Sequence, residues 1–329
     1  MTRPVIACIA AMAWFAALLA ATCLLAGLGG AAWPEADFLN QFAPLWSVLG
    51  LGAVVVLLVL SRRRRATAAL AVALVVSSAV LVGPELAAVI ARDRSSAPGE
   101  VRVVQFNVWR GNRAPARAAA WVLDQRPDIV VLQEAADIGG QVARGLAPHY
   151  PFRVTCRGQK PCSTVILSRA RPVAGEGLAR GDAENREALS AAWARYEFDG
   201  RPLTVVAVHL ARPWPWDRQA VDRGELIARL RQIPDRNLIL VGDFNTTPWT
   251  FAGKRQDREL GMDRITRALF TWPDYLQPKI QLYPMVPILP IDQAYVRSGL
   301  LPVAVRRGPR LGSDHRPVVL DLAWASPRN

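Results

Sequence analysis

Asp243 and Asn245 end an apolar stretch, residues 238–246, with the sequence LILVGDFNT. Its four apolar residues predict a buried strand, and Gly242 lets the backbone turn and present the two polar side chains at the strand's end. An aspartate there can hold a metal ion or deprotonate water, and an asparagine can grip a phosphate oxygen at any pH. Taken alone, the pattern is more often a turn capped by Asp and Asn.

Other polar residues flank apolar, strand-like runs in the same way: Asn107, Glu134, His209, Asp292, Asp314 and His315. Each has an ordinary explanation by itself, as a turn, a helix cap or a buried histidine. Together with Asp243 and Asn245 they supply carboxylates, amides and histidines. Carboxylate oxygens bind magnesium, and amides and histidines hold phosphate oxygens, so the set indicates metal-assisted phosphoryl chemistry.

The elements that would position these residues alternate between strands and helices. Predicted strands lie at 101–104, 129–132, 164–168, 238–241 and 293–296, with helices at 113–126 and 217–232. Residues 192–208 predict a hairpin that turns at Asp199 and Gly200, and a last strand follows His315.

Before these elements come three stretches without a charged residue, at 4–34, 38–61 and 66–84. Each is near the length that crosses a bilayer, so three transmembrane helices are predicted. The alternative is a signal peptide followed by buried core helices, but the first stretch exceeds the apolar region of a signal peptide.

Four arginines at 62–65 separate the second and third apolar stretches and should stay in the cytoplasm. The chain after residue 92 then lies outside, which predicts a multi-pass inner-membrane protein with a periplasmic domain. Residues 93–100, DRSSAPGE, are typical of a linker. The expected organisation is an anchor over 1–92, a linker over 93–100 and a catalytic domain over 101–329.

Cysteine usage and charge agree with this organisation. Cys156 and Cys162 bracket the loop RGQKP, and an external location permits a disulfide between them. Zinc binding is disfavoured, because the chain has 3 histidines and no paired CxxC.

The net charge of the chain is +13. Residues 1–98 hold 7 basic and 4 acidic groups, a net charge of +3, which leaves +10 on the remaining residues. A basic domain favours anionic partners such as nucleic acid or lipid headgroups.

Six motifs, in order and spacing, resemble the endonuclease/exonuclease/phosphatase superfamily: FNVWRGN (106–112), DIVVLQEA (128–135), VVAVHL (205–210), VGDFNTTP (241–248), PID (290–292) and GSDHRPV (312–318). TWP (271–273) and GPRLGSDHRP look closest to its bacterial membrane-anchored branch. The resemblance covers roughly residues 101–324.

The resemblance implies an α/β (α+β) fold, a four-layer αββα sandwich of two mixed sheets, here preceded by the three transmembrane helices. It implies Mg²⁺, with Mn²⁺ as an alternative, held by Glu134, Asn107 and Asp314. Asp243 would orient or deprotonate the attacking water, Asn245 and His209 would hold phosphate oxygens, and His315 paired with Asp292 would stabilise the transition state. One departure is Gln293, which stands where the family often has His or Tyr.

The substrate is left open between nucleic acid and a lipid headgroup, with inositol phosphates also within the family's range. The loop RPWPW (212–216) follows His209, and its Trp214 and Trp216 suit either stacking on bases or contact with a membrane interface. The loop QLYPMVPILP (281–290) precedes Asp292. Both loops could instead simply cover the core. A phosphodiesterase of nuclease type is predicted, with lipid phosphodiesterase and a non-catalytic binding domain as alternatives; the sequence indicates no protein partner.

Overall fold

The computed structural model describes residues 2–91, 98–156, 163–178, 189–276 and 283–325. The chain forms two compact units. The helical unit comprises Met1–Arg92 and Thr246–Arg255, and the sheet unit comprises Asp93–Asn245 and Gln256–Asn329. Most of the predicted linker lies outside the described residues.

The helical unit begins with four helices: α1 (Arg3–Leu28), α2 (Ala43–Leu60), α3 (Arg64–Leu81) and α4 (Gly83–Ile90). Two short 3-10 helices, Gly29–Ala31 and Ala36–Phe42, join α1 to α2. Three stretches are long and apolar enough to cross a membrane, namely Arg3–Ala31, Ala36–Leu60 and Arg64–Leu81. The third predicted stretch is interrupted, because Pro84 lies in the first turn of α4, where its missing N–H leaves no bond unmade.

The helices α1, α2 and α3 pack closely around Gly50 of α2. A Cβ atom on Gly50 of α2 would lie 2.6 Å from Leu74 Cδ2 and 2.9 Å from Ala20 Cβ. Nearby, the Ser78 hydroxyl donates to Ser47 Oγ over 2.8 Å. Small residues and hydroxyl pairs at crossings are typical of helices that associate in a membrane.

The sheet unit contains the strands β1 (Val101–Asn107), β2 (Ile129–Gln133), β3 (Phe152–Thr155), β4 (Val165–Ser168), β5 (Ala174–Gly177), β6 (Ser190–Phe198), β7 (Arg201–His209), β8 (Leu238–Asp243), β9 (Asp263–Arg264), β10 (Tyr275–Leu276), β11 (Tyr283–Pro284), β12 (Asp292–Val296), β13 (Leu300–Arg307) and β14 (Val318–Trp324). Its helices are α5 (Pro115–Asp124), α6 (Gly140–Leu146) and α7 (Trp216–Leu230). A further helix, α8 (Phe251–Leu260), begins in the helical unit and ends in the sheet unit.

Twelve of the strands form two mixed sheets of 6 strands each, in the orders β13-β14-β1-β2-β4-β3 and β5-β6-β7-β8-β12-β9. Each sheet has one parallel pair among the described strands, β1 with β2 in the first and β7 with β8 in the second. The remaining two strands, β10 and β11, pair with each other.

The two sheets pack face to face around one apolar core, to which Val103, Val131, Val205, Ile239 and Leu320 contribute. Because strand side chains alternate between faces, neighbouring residues such as Val104 and Val130 point outward and pack against α5 and α6. On the other side, Leu226 and Leu230 of α7 pack against the second sheet. These four layers confirm the predicted αββα sandwich.

Most predicted elements are present, with two differences that matter for the site. The hairpin turns at Asp199 and Gly200, which have φ of 50° and 75°, as predicted. However, β1 runs on to Asn107 and β8 to Asp243, so both polar residues are part of the ladders rather than of the following turns. Cys156 follows β3 and is buried, whereas Cys162 lies outside the described residues, so the disulfide stays a prediction.

Candidate active site

Three adjacent strands of the second sheet bring His209, Asp243 and Asp292 side by side. His209 at the end of β7 is in register with Asp243 at the end of β8, and Asp243 is in register with Asp292 at the start of β12. Gly242 allows this alignment, because a Cβ atom there would lie 1.8 Å from the carbonyl oxygen of Val208 on β7. The glycine in GDFN therefore lets two strands approach closely where the polar side chains gather.

The first sheet contributes Asn107 and Glu134. Asn107 ends β1 opposite Gln133, and Glu134 turns the chain out of β2 with a left-handed φ of 53°. The Asn107 amide donates to Asp243 Oδ2 over 2.9 Å and is 3.4 Å from Glu134 Oε1. Asn107 thus joins the polar ends of the two sheets.

His315 and Asp292 form a buried pair, with His315 Nδ1 2.8 Å from Asp292 Oδ2. The other oxygen of Asp292 accepts a bond from Gln105 Nε2 over 2.7 Å. Ser313 orients the histidine, because its hydroxyl accepts from the His315 backbone N–H over 3.0 Å and donates to the Asn107 carbonyl over 2.7 Å. The ring is therefore held by Asp292 at one nitrogen and directed towards the site with the other.

The two imidazoles flank one carboxylate oxygen. His209 Nε2 and His315 Nε2 each lie 3.7 Å from Asp243 Oδ2. This distance exceeds a direct hydrogen bond, so neither Nε2 atom is bonded to that oxygen. A phosphate group bound beside Asp243 would meet two imidazole nitrogens and one carboxylate.

The charges of these groups depend on one another. Burial opposes the charged form of His315, but the carboxylates of Asp292 and Asp243 outweigh it and raise its pKa to about 10. Burial, followed by the charge of Asp292, raises the pKa of Asp243, which makes its carboxylate a stronger base. Burial also opposes ionisation of Glu134, yet the charges of His209 and His315 overcome it and lower the pKa of Glu134. At neutral pH the site therefore holds a charged His315 beside an ionised Glu134.

Asn245 lies two residues after Asp243, in a left-handed conformation with φ of 50°. Its backbone N–H donates to Asp243 Oδ1 over 2.8 Å, and its side-chain amide donates to the Leu210 carbonyl over 3.0 Å. Gln219 of α7 donates to the Asn245 carbonyl over 3.1 Å and to the Ala211 carbonyl over 2.8 Å. These hydrogen bonds therefore connect the turn after β7 to the turn after β8, which contains Asn245.

Asp314 is held by residues from the TWP motif. Its Oδ2 accepts from Trp272 Nε1 over 3.3 Å, and its carbonyl accepts from the Asp274 N–H over 2.7 Å. Asp274 is fully buried, and its carboxylate pairs with Arg310 over 3.1 Å and with Arg316 over 2.8 Å. Contacts between the segments TWPD (271–274) and GPRLGSDHRP (308–317) therefore fix the loop that contains Asp314 and His315.

Two groups of residues could hold a metal ion. Ligand atoms of Asp243, Asp292 and His315 lie within 4.8 Å of one another. A metal ion bound there would have to displace a proton of His315, whose charged form is favoured by the carboxylates of Asp292 and Asp243. Glu134 and Asp314 form the other group. Burial raises the pKa of Asp314, and the charge of His315 opposes this, while the charge of Glu134 adds to it. Two carboxylates that repel each other suit a divalent cation with oxygen ligands.

Contacts of 3.7 Å or less thus join seven of the predicted site residues, and Asp314 directly precedes one of them, His315, in the chain; the seven are Asn107, Glu134, His209, Asp243, Asn245, Asp292 and His315. Trp214 lies in the loop after β7 and Trp216 is the first residue of α7, with 57 % and 38 % of their surfaces exposed. Their contact with a substrate stays a prediction.

Sequence reasoning missed the supporting residues Gln105, Ser313, Gln219, Asp274 and Arg310. Gln105 offered a signal, since a glutamine inside an apolar strand needs a buried partner. Ser313 and Arg310 lay within a quoted motif but had no assigned role. Gln219 and Asp274 gave no signal, because their partners come from distant loops.

The model of the Endonuclease/Exonuclease/phosphatase family matches residues 104–315, a range that contains all eight catalytic and metal-site candidates. The chain belongs to this family. Members of the family are phosphoesterases, and they use divalent metals. No curated protein sequence matches the chain.

Solved structures agree with this family fold. An endonuclease/exonuclease/phosphatase from Bacteroides vulgatus has 20 % identity, covers 68 % of this chain and 99 % of its own, and has a TM-score of 0.52. Another from Beutenbergia cavernae has 20 % identity, 69 % and 72 % coverage and the same TM-score of 0.52. The mannosyl-6-phosphatase of Bacteroides thetaiotaomicron has 16 % identity, 68 % and 100 % coverage and a TM-score of 0.52. At these identities the likeness concerns the fold.

Proposed function

We propose that this protein is a membrane-anchored, magnesium-dependent phosphodiesterase that cleaves nucleic acid. The observation that carries the proposal is the pair of imidazoles on either side of Asp243, one of them buried against Asp292. This arrangement presents fixed positive charge to a phosphate and a base to a water molecule at the same point.

In the proposed mechanism, Asp243 orients the attacking water and accepts its proton, which its raised pKa favours. His209 and Asn245 hold nonbridging phosphate oxygens. The charged His315 donates from Nε2 to the oxygen on which negative charge develops, while Asp292 keeps the ring oriented at Nδ1.

Glu134, with Asn107 and Asp314, would hold Mg²⁺, with Mn²⁺ as the alternative. The ion would supply positive charge that offsets the charge on the phosphate. The fit rests on hard oxygen ligands and on the repulsion between Glu134 and Asp314, which a cation would relieve.

A cluster of arginines beside His315 favours a polyanionic substrate. Arg310 and Arg316 share the single carboxylate of Asp274. Partial burial, and then the neighbouring charge of Arg316, lowers the pKa of Arg307, which places a third guanidinium in the same group. The three guanidinium groups carry more positive charge than the one carboxylate neutralises. Phosphates on either side of the cleaved bond would neutralise the remaining positive charge.

The cleavage test uses the full chain in detergent micelles, with single-stranded DNA, duplex DNA, RNA and phosphatidylcholine or sphingomyelin vesicles as substrates, each with Mg²⁺ and with chelator. We expect cleavage of nucleic acid that needs Mg²⁺ and weakens as salt rises. His315→Gln, purified in parallel, is the control for contaminating nucleases and should lose at least about a hundredfold in rate. Cleavage that survives His315→Gln would contradict the proposal.

A second candidate, a phospholipid phosphodiesterase, is favoured by the exposed Trp214 and Trp216, since tryptophans commonly lie at membrane interfaces. Vesicle hydrolysis without nucleic acid cleavage would select it. No Mg²⁺-dependent turnover of any substrate would instead favour a binding domain.

We further propose an inner-membrane location with the sheet unit in the periplasm. The support is the positive-inside rule applied to Arg62–Arg65, which precede and begin α3.

A further inference from the structure

The segment between α1 and α2 contains polar side chains that are almost completely buried. Asp37, Asn40 and Gln41 are exposed by 7 %, 1 % and 4 %. Asn40 Nδ2 donates to the Gly27 carbonyl over 2.9 Å and to Asp37 Oδ1 over 2.7 Å. The glycines of α1 and its end permit this packing, because a Cβ atom on Gly27 would lie 2.1 Å from Asn40 Oδ1 and one on Gly30 would lie 2.7 Å from the Asp37 backbone. The Asp37 carboxylate is therefore fixed in place.

Asp37 and Gln41 bind backbone N–H groups of Thr246–Arg255, the other part of the helical unit. Asp37 Oδ1 accepts from the Phe251 N–H over 2.9 Å, and Oδ2 accepts from the Ala252 N–H over 2.8 Å. Gln41 Oε1 accepts from the Thr247 N–H over 3.1 Å. Phe251 and Ala252 are the first residues of α8. The carboxylate of Asp37, which lies in a distant part of the sequence, therefore caps the N-terminus of this helix.

Further contacts complete the attachment of the segment. The Trp249 indole donates to the Gln41 carbonyl over 2.9 Å, and Lys254 Nζ donates to the Val80 carbonyl at the end of α3 over 2.9 Å. Thr250 accepts from the Gly253 N–H over 2.8 Å, which satisfies another N–H of the first turn. Every residue from Thr246 to Thr250 is buried.

A membrane anchor does not require a buried carboxylate such as that of Asp37, because burying a charged group costs free energy unless the group is paired. Here the pairing partners belong to the chain immediately after Asn245. We propose that Asp37 and Gln41 are positioning residues for catalysis, which hold Thr246–Arg255 and thereby the turn that presents Asn245. The catalytic part of this inference rests on the proposed function. The anchor would then be a component of the catalytic machinery as well as a means of localisation.

The test compares the full-length wild type with Asp37→Ala and Gln41→Met in detergent micelles. Amide hydrogen exchange in peptides covering residues 246–255 should quicken on the order of tenfold in Asp37→Ala, because two N–H groups lose their acceptor. Exchange in β1 should stay unchanged. The kcat should fall about tenfold to a hundredfold, as expected when a reacting group is misplaced by a fraction of an ångström to an ångström. The magnesium dependence should not move, because Glu134 lies on the other sheet.

Glu259→Ala is the control for the loss of a negative charge, since Glu259 is exposed near the end of α8, and it should leave exchange at 246–255 and kcat unchanged. Asp37→Asn keeps one acceptor oxygen and should recover part of both losses. Unchanged exchange at 246–255 in Asp37→Ala, or faster exchange with an unchanged kcat, would overturn the proposal. Faster exchange throughout the chain in Asp37→Ala indicates unfolding, and Gln41→Met then decides. Faster exchange confined to residues 246–255 with a lowered kcat in Gln41→Met supports the proposal, and an unchanged exchange or kcat overturns it. An inactive wild type would refute the proposed function and the catalytic part of this inference, while the exchange result would still decide the docking.

Discussion

Replacing Asp292 by Asn should make the rate depend on pH in a range where the wild-type rate is flat. Asp292 Oδ2 lies 2.8 Å from His315 Nδ1, and both side chains are buried. The substitution keeps the shape of the side chain but removes the charge that does most to counter the burial of the imidazole. The pKa of His315 should then fall from about 10 towards its ordinary value of 6.5.

The size of the effect follows from the protonated fraction. At pH 8.5 nearly every ring with a pKa of about 10 is charged, whereas a ring with a pKa of 6.5 is charged in about 1 % of molecules. If the charged ring is the donor, Asp292→Asn loses about a hundredfold at pH 8.5 from this cause and less than about twofold at pH 6. A loss of ring orientation would add a factor that does not depend on pH.

The assay measures kcat on a chromogenic phosphodiester at saturating Mg²⁺ between pH 6 and 9. The ratio of wild type to Asp292→Asn should grow with pH, while the ratio of wild type to His315→Gln, which has no titrating ring, should not. Parallel profiles for wild type and Asp292→Asn would refute the assigned charge of His315.

The same shift has a consequence for stability. A folded pKa above the unfolded value stabilises the fold fully below about pH 6.5 and ceases to do so as pH rises through about 10. The destabilisation by Asp292→Asn should therefore be larger at pH 6 than at pH 9. Thermal unfolding of both proteins at the two pH values checks this.

Three further predictions concern the metal, the cysteines and the topology. Glu134→Gln should weaken the affinity for magnesium, so that excess Mg²⁺ recovers part of the initial rate, whereas the rate of His315→Gln should not respond to Mg²⁺. Rescue of His315→Gln but not of Glu134→Gln would show that the metal-binding and donor roles are assigned wrongly. Protein made in an oxidising compartment should show two titratable thiols among the chain's 4 cysteines under denaturing, nonreducing conditions, because Cys156 and Cys162 are joined; the closed loop should stabilise the fold by on the order of 2 kcal/mol at most, and four thiols would disprove the bond. A reporter fused after Asn329 should be active only outside the cytoplasm, and cytoplasmic activity would reverse the assigned orientation.

The sequence predicted the strands of the site and the polar residues at their ends because both depend on local patterns, whereas the sandwich was predicted from the resemblance to the family. Long apolar runs identified β1, β2 and β8, and the polar residues at their ends marked one edge of each sheet. By contrast, β5 has the exposed sequence AGEG, which contains no strand pattern; it becomes a strand through its pairing with β6. Such an element depends on its neighbour and could not be predicted alone.

The supporting contacts were less accessible for a related reason. Gln105 reaches Asp292 across 187 positions of sequence, and Asp37 reaches Phe251 across 214. Asp37 therefore looked like an ordinary loop charge between two apolar stretches. Its partner is a backbone N–H, which no side-chain pattern reveals, so only the folded chain indicates its role.

The pairing of β1 with β14 has a consequence for biosynthesis. The first strand of the sheet unit lies between β2 and the last strand of the described chain, with Val101 opposite Leu322. Asp314 and His315 reach the site only when β14 adds to β1, so a nascent chain still lacking its final strand has neither residue in place. The proposed hydrolytic activity should therefore arise only once β14 has been made and has paired with β1, and chains truncated before residue 314 should be inert towards phosphate esters.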